Sequence, residues 1–87
     1  MPQLLMQREE IINKINLMLI DEFEIEESQI SPNARFKEDF DIDSLDFVDL
    51  VVIIEKNFGF KVKGEEMVNI KKLADFYNFI FDRIKLN

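Results

Sequence analysis

Eighty-seven residues, no cysteine, no histidine and a net charge of −7 bound this chain before any pattern is read. The length suits one domain spanning residues 1–87, the missing cysteine excludes disulfides and thiolate metal sites, and the negative charge argues against nucleic acid and anionic membrane surfaces. A hydrophobic content of 47% with nine phenylalanines supplies a real core, so a folded chain is expected despite the 33% of charged residues.

The opening stretch, Met-Pro-Gln-Leu-Leu-Met-Gln-Arg, has no basic n-region, long apolar run or small-residue cleavage site. The apolar runs are short and broken by charges, so a soluble, cytoplasmic chain with no membrane span is expected. Ile11, Ile12, Ile15, Met18, Leu19 and Phe23 recur at helical spacing and predict a first helix over about 5–22. Residues 24–43 lose that period. Ser31-Pro32-Asn33 signals a turn, and Ile25, Ile30 and Phe36 are spaced to pin a long loop onto the core.

A second helix is predicted from near Ser44 to about Asn57, with Phe47, Leu50, Val51, Ile54 and Phe58 as its core stripe. Gly59 stands where glycine commonly supplies a left-handed C-cap. Leu45, Val48 and Val52 form another apolar line on the same helix, bordered by Asp46, Asp49 and Glu55. That line suits either a docking surface or a second buried face of a helix clamped between two others. Phe60-Lys61-Val62 reads as an extended link and 64–68 as one short helical turn. Leu73, Phe76, Tyr77, Ile80 and Ile84 mark a final helix over about 71–85. The fold class is all-α: a small antiparallel bundle of three main helices plus a short third helix, with a long loop between helices one and two.

Ser44 is the residue that invites chemistry. A serine nucleophile needs an adjacent base. The chain has no histidine, and the only lysines within reach in sequence, Lys37 and Lys56, are seven and twelve residues away, so a catalytic role is not expected. Serine is a favoured N-cap, which gives Ser44 a purely structural reading. Yet Asp43 is also a good cap and Asp46 follows three residues later, so capping does not require the serine. A phosphate ester on a hydroxyl at a helix start would sit beside free N–H groups and the positive dipole end. Asp39, Asp41 and Asp43 alternate as in a calcium-binding EF-hand loop, but the glycine and glutamate that loop needs are replaced by Ser44 and Leu50. No metal site is expected.

The stretch 36–50, Phe-Lys-Glu-Asp-Phe-Asp-Ile-Asp-Ser-Leu-Asp-Phe-Val-Asp-Leu, resembles the prosthetic-group site of the acyl carrier protein family. The likeness continues through Ile54-Glu-Lys-Asn-Phe58 and 70–77, and spans roughly Glu9 to Ile84. It implies a non-enzymatic carrier bearing 4′-phosphopantetheine, taken from coenzyme A by a phosphopantetheinyl transferase, on Ser44 between Asp43 and Leu45. Acyl groups would ride on its thiol as thioesters. Leu45, Asp46, Val48, Asp49, Val52 and Glu55 match the family's docking helix, which meets basic patches on acyl-transfer and chain-elongation enzymes. Phe47, Val51, Ile54, Phe58, Val62, Met67 and Ile70 match its acyl pocket.

Three features depart from the family pattern. Many carriers have glycine two residues before the Asp-Ser pair, where this chain has Asp41. Lys56, Lys61 and Lys63 replace acidic or neutral residues, and bulky Phe47 and Phe58 would shorten the accepted acyl chain. Fatty-acid synthesis is the leading expectation. A carrier of aminoacyl, D-alanyl or polyketide cargo is the nearest alternative, and an acidic adaptor with unmodified Ser44 the more distant one. A core buried within one domain suggests a monomer.

Overall fold

The computed structural model describes residues 8–43 and 45–86. Three helices account for most of it: α1 (Arg8–Phe23), α2 (Asp46–Phe58) and α3 (Leu73–Leu86). Short 3-10 turns interrupt the connections at Glu27–Gln29 and Gly64–Met67. The expected all-α bundle is the architecture found. Residues 5–7 of the predicted first helix lie outside the described residues, as does Ser44.

α1 buries Ile11, Ile15, Met18 and Leu19, the stripe its period predicts, with Ile12 and Phe23 partly buried against the same core. Glu9 and Glu10 in its first turn complement the positive end of the helix dipole. The helix stops at Glu24, whose φ of 57° is left-handed. The next residue, Ile25, is folded back into the core.

α2 departs from the expected stripe. Leu50, Ile53 and Ile54 are buried, while Phe47, Val51 and Phe58 are only partly so. The buried face is therefore rotated slightly from the stripe predicted. Gly59 ends α2 as expected, at φ 81°, with its N–H donating to the Glu55 carbonyl at 2.9 Å. A Cβ there would meet no atom within 4 Å, so only backbone strain resists substitution. Gly59→Ala should cost about 1–2 kcal/mol, which a thermal melt followed by circular dichroism would read as a lower Tm with unchanged helicity.

The loop over 24–43 is pinned to the core along its length. Ile25, Ala34, Phe36, Phe40 and Ile42 are all buried. Pro32 follows Ser31 in a tight turn closed by the Ala34 N–H on the Ser31 carbonyl at 3.0 Å. The loop then supplies what the start of α3 lacks. Leu73 and Ala74 donate their N–H groups to the carbonyls of Ala34 and Pro32 at 2.8 and 2.9 Å. Asp75 accepts those of Lys71 and Lys72 at 3.2 and 3.1 Å.

Phe36 joins these parts. Its ring meets Phe40, Phe47 and Phe76 edge-on, with centroids 5.6, 5.8 and 5.7 Å away. Loop, α2 and α3 therefore share one aromatic knot. α1 packs on α3, and Tyr77 donates its hydroxyl to the Asn16 side chain at 2.5 Å across that contact. Burial pushes the Tyr77 phenol pKa up, and the hydrogen bond to Asn16 partly offsets it. Glu66, before α3, pairs with Arg83 on it. Among the described residues no helix is long and apolar enough to cross a membrane.

Candidate functional site

The start of α2 is closed by aspartates. The Asp43 carboxylate accepts the N–H groups of Leu45 and Asp46 at 3.0 and 3.3 Å. The Asp46 carboxylate returns to the Asp43 N–H at 3.2 Å. The Asp43 carbonyl takes the N–H of Phe47 at 3.2 Å, the first full helical bond. Asp43 is thus the working cap, in a reciprocal box with Asp46. The cap that Ser44 was one candidate to supply is provided by its neighbours.

Asp41 adopts φ 59°. This is the left-handed region that glycine enters freely and that aspartate tolerates better than most other side chains. The bend that a glycine would supply before the Asp-Ser pair is therefore present without it. Around it, Asp39 accepts the Arg35 backbone N–H at 2.8 Å and pairs with the Arg35 guanidinium at 3.4 Å. These contacts, the backbone bond foremost, hold the Asp39 carboxyl below its usual pKa. The Ile42 N–H on the Phe36 carbonyl at 2.8 Å ties the segment back on itself. Among the described residues no cluster of acidic side chains is arranged to hold a metal ion.

Beyond the helix start, α2 presents an uncovered apolar line. Leu45 is 80% exposed, Val48 62% and Val52 60%. Asp49 and Glu55 are exposed beside them and Asp46 is half-buried. Sequence left open whether this line docks or is buried; it is at the surface.

A cavity of about 520 Å³ opens beside Asp43. Phe36, Ile42, Phe47, Val48, Val68 and Ile70 line its apolar part. Of the residues expected to form an acyl pocket, only Phe47 and Ile70 reach this cavity. Ile54, Val62 and Met67 are packed in the closed core, and Val51 and Phe58 lie partly buried against it. Sequence reasoning did not find Arg35, Lys37, Lys71 and Lys72, which also line the cavity. Their positions depend on a contact between distant segments: Arg35 and Lys72 form an isolated antiparallel bridge.

This arrangement fits a prosthetic arm attached next to Asp43. The Asp43 and Asp46 carboxylates cap the helix start, the exposed Asp43 and Leu45 flank position 44, and an apolar cavity lies alongside Asp43. Comparison with known proteins gives the family. Residues 13–80 match the family described as the phosphopantetheine attachment site. The acyl carrier protein of Rubrobacter xylanophilus is 35% identical over 77 residues, covering 88% of this chain and 95% of the relative. That of Lactobacillus acidophilus is 36% identical over 75 residues, covering 86% and 94%. That of Thermosynechococcus vestitus is 32% identical over 79 residues, covering 91% and 98%. With a matched family model over most of its length and relatives aligned nearly end to end, the chain belongs to the acyl carrier protein family: a carrier rather than an enzyme, with 4′-phosphopantetheine as its covalent cofactor.

Proposed function

We propose that Ser44 carries the 4′-phosphopantetheine arm, through a phosphodiester on its hydroxyl oxygen, and that the cargo is an acyl chain in fatty-acid synthesis. The observation that supports Ser44 is the Asp43–Asp46 cap, which completes the helix start with neighbouring side chains. When bound, the arm supplies the thiol that a cysteine-free chain lacks, and holds acyl groups as thioesters. The chain's own residues do the rest. Leu45, Val48 and Val52 offer apolar contact to synthase and transferase enzymes, and Asp46, Asp49 and Glu55 set the encounter with basic patches on them. The cavity beside Asp43 shelters the cargo, with Phe47 and Ile70 in its wall. The folded unit acts as one domain and as a monomer.

Intact mass tests the attachment. Apo protein incubated with coenzyme A and a promiscuous phosphopantetheinyl transferase should gain one phosphopantetheine increment, and Ser44→Ala should gain none while keeping its helicity. A wild-type protein that folds but never gains the increment would overturn the proposal.

A further inference from the structure

The cavity beside Asp43 has a charge that the rest of the molecule does not predict. In a chain of net charge −7, among the described residues four cations, Arg35, Lys37, Lys71 and Lys72, line one space with only Glu38 and Asp43 as acidic members. The backbone explains how they meet. Phe36 donates its N–H to the Lys71 carbonyl at 3.0 Å and Leu73 donates to the Ala34 carbonyl at 2.8 Å. Arg35 and Lys72 therefore stand directly opposite each other in the bridge between those bonds. That is the pairing position where side chains come closest, and like charges there repel.

Asp39 answers Arg35 through its ion pair. Among the described residues no ion pair forms on Lys37, Lys71 or Lys72, and all three are exposed. The cations thus form the polar edge of a cavity that is otherwise apolar. A ligand complementary to both parts has a hydrocarbon stretch and a negative end.

We infer that this cavity favours a carboxyacyl cargo, an acyl group ending in a carboxylate, carried on the chain's own arm. The inference rests on the proposed attachment at Ser44, which places the tether next to Asp43 at the cavity wall. The hydrocarbon stretch lies against Phe36, Ile42, Phe47 and Ile70, and the terminal carboxylate meets the lysines. An aminoacyl or D-alanyl cargo would instead bring an ammonium group towards like charge.

Three loaded forms of the full chain test this, made with the transferase from the corresponding coenzyme A thioesters: adipoyl, hexanoyl and 6-aminohexanoyl. Cleavage of the thioester by hydroxylamine reads how well each cargo is sheltered. The adipoyl form should be cleaved about threefold more slowly than the hexanoyl form, the scale that an exposed ion pair supports, and the 6-aminohexanoyl form fastest. High salt or the double substitution Lys71→Gln, Lys72→Gln should erase the adipoyl advantage, with amide shifts of residues 70–73 on adipoyl loading lost in parallel. Both lysine side chains are exposed, so the variant keeps its fold, and its Tm checks that. Equal cleavage of adipoyl and hexanoyl forms would overturn the inference and leave the carrier reading intact. An effect of the lysines shared by both cargoes would also overturn it, assigning the cations to the arm's phosphate. Failure to load any arm would remove the carrier reading and this inference together.

Discussion

Phe36→Ala should destabilise the protein by about 3–5 kcal/mol, the range for removing a fully buried phenylalanine ring. The ring is 1% exposed and makes three edge-on contacts, to Phe40 in the loop, Phe47 on α2 and Phe76 on α3. Among the described residues no other side chain ties those three segments by ring contacts. Its removal leaves a void and also loosens the loop whose carbonyls cap α3. Small domains have total stabilities of about 5–15 kcal/mol, so a large share is at stake. For a domain of this size the Tm should fall by about 15 °C or more. Phe36→Leu keeps most of the volume and should fall between the two. A melt of Phe36→Ala within a few degrees of wild type would show that the aromatic knot does not hold the bundle.

Val52→Lys should do the reverse, sparing the fold and impairing function. Val52 is 60% exposed on α2, so substitution should alter stability by no more than about 0.5 kcal/mol. Its proposed role is to be buried against a partner enzyme together with Leu45 and Val48. An ammonium group in that patch would lose its water without gaining a partner, and would face a basic surface. Loss of one such contact costs well over 1 kcal/mol at the centre of an interface. The transferase should therefore modify Val52→Lys with kcat/KM lower by about tenfold or more, where tenfold is about 1.4 kcal/mol. Asn78→Lys is the control, adding the same charge at an exposed site on α3. If both variants slow modification equally, the effect is general charge rather than docking on α2.

These two residues also show what was legible in the sequence. Period alone placed all three helices and, among the described residues, their limits to within a few residues, because apolar stripes are a local property. The left-handed Gly59 and the Asp43–Asp46 cap were readable for the same reason: each depends on residues at most four apart. Ile53 was missed because a helix with apolar residues on several faces does not say which face its neighbours cover. Phe40 and Ile42 were missed because no period runs through the loop, and their burial is decided by Phe36 and the segments around it. The cationic edge of the cavity was invisible for a stronger reason. Arg35 and Lys72 meet only because the loop lies across the start of α3, and nothing near either residue in sequence announces that contact.

The Asp43–Asp46 box has one more consequence. A helix whose first turn is locked by its own carboxylates has the same reason to form before and after the modification proposed at the neighbouring serine. Synthesis and maturation are thereby uncoupled. A chain not yet carrying the proposed arm should therefore already be folded, and its helicity should stay the same when the arm is added.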